Sequence, residues 1–197
     1  MPQNSLKIFS HEDPEVAPFI EELKEVNVDR SYYLLLLTGP YIKGKKRFLE
    51  KMSSAFGRTV THTDLRDVVT PNLKETQKNI DDLFNSLTED DYLLFFSNGD
   101  RLCGAYTGFT YSKTRYVTPQ ERYLLEKLKN LEKIVIFDIQ DEDNIDNRLK
   151  RYTHSLIRFR KPRSLWKRFT WKMDNIDFHG HTFTSKRPLR ETGGLKN

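Results

Sequence analysis

The chain has 197 residues and a formal net charge of +5, with 37% hydrophobic and 31% charged residues. This length accommodates one α/β domain with a hydrophobic core and a short appendage. No apolar run is long enough to span a bilayer, the amino terminus lacks the segments of a signal peptide, and the single cysteine, Cys103, excludes an internal disulfide, so we expect a cytoplasmic protein.

The apolar patterns predict helices and strands in alternation along residues 14–159. Three apolar runs without polar alternation, within residues 31–39, 91–97 and 133–139, are typical of strands buried on both faces. Shorter strands are predicted at 58–65 and 154–159, and helices at 14–25, 45–56, 73–89 and 118–132. This alternation predicts a three-layer α/β sandwich with a mostly parallel central sheet.

The chain is predicted to have three parts. Residues 1–30 form a helical lead-in, residues 31–162 the α/β core, and residues 163–197 a basic, aromatic extension that is partly disordered. Charge is divided unevenly, because residues 148–197 hold 14 Lys or Arg but only 3 Asp or Glu. Such a division indicates an acidic body with a basic region that meets an anionic partner.

A glycine-rich loop follows the first buried strand and precedes a helix. Its skeleton, Gly39-x-x-x-x-Gly44-Lys45, has the spacing of a Walker A phosphate-binding loop in the strand-to-helix context that such a loop needs. The next residue is Lys46, where Ser or Thr is expected. The loop also contains Pro40 and other bulky residues that crowd the backbone amides.

The order of the segments resembles that of the AAA+ ATPases, which are P-loop NTPases, over residues 34–159. The strand at 91–97 stands where the family has its Walker B motif, residues 133–146 stand at its sensor 1 strand, and residues 147–159 stand at its arginine-finger region. The subgroup that the chain resembles occurs with phage-like contractile injection systems. The resemblance implies the family's fold, with the helical lid absent or vestigial because few aliphatic residues follow residue 159.

The resemblance also implies a degenerate catalytic site. The Walker B acids are replaced by Ser97 and Asn98, and sensor 1 falls on Gln140. Lys46 replaces the hydroxyl that holds Mg²⁺ in the family, so charge and ligand chemistry both oppose the metal. Loss of the general base and of the metal removes the main sources of rate. We therefore expect no catalytic residues and no metal site, although Arg151 remains as a finger that could act on a neighbouring subunit.

Three outcomes stay open for the nucleotide. The loop binds none, binds ATP or ADP weakly without Mg²⁺, or retains residual hydrolysis. The residues expected to face a nucleotide are Gly39, Pro40, Gly44, Lys45 and Lys46. Lys45 and the helix that follows it favour an anion.

The basic region at residues 148–172 contains ten Lys or Arg and no acid, with aromatic residues interleaved. This pattern suits a nucleic acid, an anionic membrane surface, or the acidic body of the same or a neighbouring subunit, and a solvated surface stays open as well. The expected basic surface consists of Arg158, Arg160, Lys161, Arg163, Lys167 and Arg168.

Three functions follow from these patterns. The first is a catalytically inactive AAA+-like protein that serves as an assembly, adaptor or regulatory subunit, with a protein partner or a second copy of itself. The second is a weak ATPase that depends on a partner. The third is a nucleic-acid binder that works through the basic region.

Overall fold

A computed structural model describes residues 6–26, 32–102 and 118–160. The strands are β1 (Lys7–Ser10), β2 (Tyr33–Thr38), β3 (Val60–Asp64), β4 (Leu93–Ser97), β5 (Ile134–Ile139) and β6 (Ser155–Arg158). The helices are α1 (Val16–Lys24), α2 (Ile42–Phe56), α3 (Leu65–Val68), α4 (Leu73–Ser86), α5 (Pro119–Leu128) and α6 (Asn147–Tyr152). Short 3-10 turns occur at Gly99–Arg101 and Glu142–Asn144.

The six described strands form one sheet in the order β1-β6-β2-β5-β4-β3, and every described pairing is parallel. Strand β2 lies inside the sheet, where Leu37 is level with Asp138 of β5 and with Ile157 of β6. Because all strands run in one direction, their carboxyl ends meet at a single edge. The prediction of a mostly parallel sheet is confirmed.

Helices cover both faces of this sheet and make a three-layer α/β sandwich, as predicted. Alternate residues of β2 point to opposite faces, so Leu34 and Leu36 pack in one hydrophobic cluster and Leu35 and Leu37 in the other. The first cluster includes residues of α3, α4, α5 and α6, and the second includes residues of α1 and α2. Two buried faces explain why β2 reads as an unbroken apolar run.

Several element ends follow from local chemistry. Gly57 ends α2 in the left-handed conformation, with φ 60°. The hydroxyl of Thr118 accepts a hydrogen bond from the amide of Glu121 and caps α5, whose first residue is Pro119. The longest described helix, α2, has 15 residues, and no helix in the described ranges has the length and apolarity to cross a membrane.

Several predicted boundaries differ from the structure. The helices predicted at 73–89 and 118–132 end earlier, at Ser86 and Leu128. Helix α2 begins at Ile42 rather than at Lys45, because Tyr41 packs inward and the chain turns into the helix directly after it. The lead-in contains a strand as well as a helix, since β1 pairs with β6 at the edge of the sheet. Strands β2, β4 and β5 agree with their predicted positions to within one or two residues.

Candidate functional site

The candidate site lies at the edge where the parallel strands end. Strands β2, β3, β4 and β6 end here at Thr38, Asp64, Ser97 and Arg158, and β5 ends beside β2. In open α/β sheets, ligands bind outside the carboxyl ends of the strands. All the residues expected to face a nucleotide are at this edge or among the first five residues of α2.

The glycine-containing loop is a short turn held down by its neighbours. Gly39 has φ 98°, a conformation that favours glycine, and its amide donates to the carbonyl oxygens of Ile139 and Gln140 at 3.3 and 3.2 Å. The amide of Tyr41 donates to the carbonyl oxygen of Phe159 at 3.4 Å. Only residues 39–41 separate β2 from α2. Two amides of this turn therefore bind backbone carbonyls of β5 and of the segment after β6.

Gly44 lies inside the first turn of α2 and serves close packing. A Cβ at this position would come within 2.5 Å of the Tyr41 ring and 3.0 Å of the Phe159 ring. Tyr41 is buried and meets the ring of His11 edge-on, and His11 stacks on Phe159 with a centroid distance of 5.2 Å. Aromatic side chains thus fill the space beside the loop.

Lys45 is only 3% exposed, and its ammonium forms a hydrogen-bonded ion pair with Oδ1 of Asp138 on β5. Burial raises the pKa of the Asp138 carboxyl, while the Lys45 ammonium acts to lower it and Asp100 adds a smaller repulsion that raises it. Each charge of this pair compensates the burial of the other. In contrast, Pro40 and Lys46 are exposed.

Ser97 and Asn98, the residues that the family resemblance aligns with the Walker B acids, take part in internal hydrogen bonds. The Ser97 hydroxyl is buried, and its oxygen lies 2.8 Å from Nε2 of His62. Asn98 has φ 59°, and its side-chain amide donates to Oδ1 of Asp64 at 2.8 Å. Burial acts to raise the pKa of Asp64, but hydrogen bonds from Arg66 and Asn98 outweigh it and lower that pKa. These residues form a polar network across β3 and β4.

Gln140, the expected sensor, is exposed just beyond the end of β5. Its backbone amide donates to Asp100 at 2.7 Å, and the same carboxylate accepts from the amide of Asp141 and from the side chain of Asn144. Asp100 therefore holds the turn after β5. Asp138, two positions before Gln140, is the residue of β5 that contacts Lys45.

Sequence reasoning missed Asp138, although a signal was present. In β5, Ile134 and Ile136 pack on the same face as residues of α2. Side chains two residues apart share a face, so residue 138 must also point towards α2. One acid in an otherwise apolar buried strand needs a partner, and Lys45 supplies it.

The basic positions are divided among different parts of the molecule. Arg151 is exposed on α6, shortly before the amino end of β6, and thus near the edge opposite the loop. Arg158 makes a two-pronged hydrogen-bonded ion pair with Glu142, and Arg160 approaches the same carboxylate at 3.5 Å. The remaining predicted basic surface, namely Lys161, Arg163, Lys167 and Arg168, lies outside the described residues.

The residues present do not fit a nucleotide held with Mg²⁺. Two amides of the turn bind backbone carbonyls, Lys45 is paired with Asp138, and Ser97 and Asn98 bond to His62 and Asp64. Within the described ranges, no group of three or more His, Cys, Asp or Glu residues is placed to hold a metal ion. We therefore derive no step through a bound nucleotide or metal.

Together these features define the class of protein as a parallel three-layer α/β sandwich with a short loop after an inner strand. No protein-family model matches the chain, and no curated protein matches it. Among solved structures, 478 chains match it. One of them belongs to the E. coli MS115-1 HORMA:CdnC:Trip13 complex, with 16% identity and a TM-score of 0.52.

The match to that chain covers 86% of this chain and 65% of that one, so this chain spans slightly less than two thirds of its structural neighbour. At this level of identity the likeness concerns the fold alone.

Proposed function

We propose that this protein is a degenerate AAA+-like protein that works without hydrolysing nucleotide, as an assembly, adaptor or regulatory subunit of a larger complex. The ion pair between Lys45 and Asp138 is the observation that carries the proposal. A Walker A lysine acts by binding phosphate, and here its charge is already neutralised within the protein.

Three further observations support a site without catalysis. Asn98 donates to Asp64 and provides no general base, and the Ser97 hydroxyl pairs with His62. Asp100 holds the turn after β5 through three hydrogen bonds. The amide groups of Gly39 and Tyr41 bind backbone carbonyls. These polar groups are therefore engaged in hydrogen bonds within the protein, and we infer that they stabilise the fold.

A role in assembly agrees with the structural neighbour, which was solved in a complex of several proteins. The partner of this chain is expected to be a protein or a second copy of the chain. The single cysteine fits a reducing compartment, and we propose a cytoplasmic location. The nucleic-acid alternative depends mostly on residues outside the described ranges and stays a prediction from the sequence.

Isothermal titration calorimetry with ATP and with ADP, each with and without Mg²⁺, tests the proposal. The control is Lys45→Met, which removes the ammonium group of Lys45. We expect no heat of binding to either protein at millimolar nucleotide. Binding to the wild-type protein that Lys45→Met abolishes would overturn the proposal, and a requirement for Mg²⁺ would restore the ATPase hypothesis.

A partner-dependent ATPase is the second candidate, and it is favoured by one observation. Arg151 is exposed, and no other residue in the described ranges pairs with its side chain, so it is available to a neighbouring subunit. The test measures hydrolysis by a competent AAA+ protein with and without this chain. A stimulation that Arg151→Ala abolishes supports the finger, while an effect that survives this substitution supports a regulatory subunit.

A further inference from the structure

The interior position of Lys45 requires a negative partner. An ammonium that is 3% exposed has lost most of its water, and an unpaired buried charge is strongly unfavourable. In a loop with the Walker A skeleton, phosphate oxygens normally supply the compensating charge. In this structure the compensating charge comes from the carboxylate of Asp138.

Asp138 is held firmly where it meets Lys45. Its backbone belongs to β5 and is level with Leu37, one residue before the end of β2. Behind it lies Gly99, where a Cβ would come within 2.8 Å of the Asp138 carbonyl oxygen, so the turn after β4 packs directly on this part of β5. The carboxylate therefore projects from a rigid strand beside the start of the loop.

The charged groups around the pair also favour this assignment. Lys45 faces Asp138 from α2, and among the described residues Asp100 is the other charged group that acts on the Asp138 carboxyl. Asp100 is itself occupied by donors from the turn after β5. No second described cation competes for the Asp138 carboxylate, so the pair is exclusive among the described residues.

We propose that the carboxylate of Asp138 takes the place of a bound phosphate. The loop and Lys45 then form a latent site for phosphate-type anions, and the Asp138 carboxylate occupies this site. This inference rests on the proposed function, since it presumes that the wild-type protein binds no nucleotide. It goes further because it names the residue that excludes the anion. The buried charge of Lys45 is then compensated without any ligand.

The test compares the binding of inorganic phosphate and pyrophosphate to four proteins by calorimetry, at constant ionic strength. They are the wild type, Asp138→Asn, the double variant Lys45→Met/Asp138→Asn, and Glu142→Gln. The last is a matched control, because it also removes one carboxylate from the same edge and releases Arg158. Circular dichroism verifies that each variant is folded.

We expect Asp138→Asn to bind pyrophosphate at least about tenfold more tightly than the wild type, equivalent to roughly 1.4 kcal/mol. The double variant should lose this gain, and Glu142→Gln should not show it. The inference is overturned if folded Asp138→Asn gains no affinity, if the gain survives loss of Lys45, or if Glu142→Gln gains equally.

A measurement on the wild-type protein keeps the inference testable if Asp138→Asn does not fold. Acetylation of lysines, followed by mass spectrometry, compares Lys45 with exposed Lys46 in the same peptide region. Lys45 should react at least about tenfold more slowly, with or without phosphate. Equal reactivity, or protection that appears only with phosphate, would overturn the internal pairing.

The two proposals fail in different ways. Binding of ATP or ADP to the wild type that Lys45→Met abolishes overturns the proposed function. If the wild type binds no nucleotide and folded Asp138→Asn gains no affinity for pyrophosphate, the proposed function stands and only the latent site is overturned.

Discussion

The Cα of Gly39 lies against the backbone carbonyl of Phe159, so closely that a Cβ at residue 39 would overlap the carbonyl oxygen. Gly39 also has φ 98°, which L side chains rarely adopt. The first glycine of the loop is thus fixed by contact between two backbones. Its role here is structural and does not depend on a ligand.

Gly39→Ala is therefore expected to destabilise the protein by about 2–4 kcal/mol, since it combines backbone strain with a clash. Gly57→Ala is the matched control, because Gly57 also has a positive φ but has open space around it. Its expected loss is about 1–2 kcal/mol. Urea denaturation measures both, and equal losses would contradict the close contact at Gly39.

The carboxyl group of Glu121 gives a prediction about pH. Glu121 is 2% exposed, and neither of its oxygens has a hydrogen-bond partner among the described residues. Burial, followed by repulsion from Asp146, raises the pKa of Glu121 from 4.5 to about 8. The folded protein therefore holds a proton on Glu121 at pH values where the unfolded chain has released it.

The sign follows from this difference in bound protons. The contribution of Glu121 to stability is fully present below about pH 4.5 and is lost as pH rises towards 8, by roughly 1.4 kcal/mol per pH unit. Glu121→Gln should remove this slope and make the protein more stable than the wild type at pH 8. Denaturation from pH 5 to about pH 8.5 measures it, with exposed Glu50→Gln as the control. Parallel pH curves for the wild type and Glu121→Gln would refute the assignment.

The pair between Lys45 and Asp138 predicts strong energetic coupling. Removal of one partner leaves a buried charge, so Lys45→Met and Asp138→Leu should each cost about 3–5 kcal/mol. The double variant should cost less than either single change, because it leaves no unpaired charge. A double-mutant cycle by urea denaturation measures this coupling. Additive losses would mean that the two side chains do not stabilise each other.

Introducing an acid at Asn98 should not create a metal site. Asn98→Asp keeps a residue that tolerates the left-handed conformation, but it replaces the donor to Asp64 with a second carboxylate. We expect a loss of about 1–3 kcal/mol at neutral pH that is partly recovered in acid. Asn98→Gly, which loses the hydrogen bond without adding charge, is the control. Thermal unfolding with and without Mg²⁺ decides the point, since stabilisation of Asn98→Asp by Mg²⁺ would reveal a metal site.

The buried strands could be predicted from the sequence because their chemistry is local. Burial on both faces requires apolar side chains at every position, so β2, β4 and β5 stand out as unbroken apolar runs. Caps are local too, as Thr118 shows for α5. The skeleton from Gly39 to Lys45 correctly indicated a turn between a strand and a helix at the carboxyl edge.

The features that were not predicted depend on contacts between distant residues. Strand β1 has four residues, and its pairing partner, β6, lies near the other end of the described sequence. The early start of α2 depends on Tyr41, His11 and Phe159, which come together only in the folded protein. The partner of Lys45 is 93 residues away in sequence, so loop spacing alone could not reveal it.

The sheet order also has a consequence for how the chain is made. Strand β6 lies between β1 and β2, yet it is the last described strand to be synthesised. Until residues 155–158 leave the ribosome, β1 has no partner and the apolar β2 has one open edge. Pairings of such long range form slowly and leave unpaired edges open to aggregation. We therefore expect nascent chains that end before β6 to need a chaperone. The sheet can be completed only after β6 has left the ribosome.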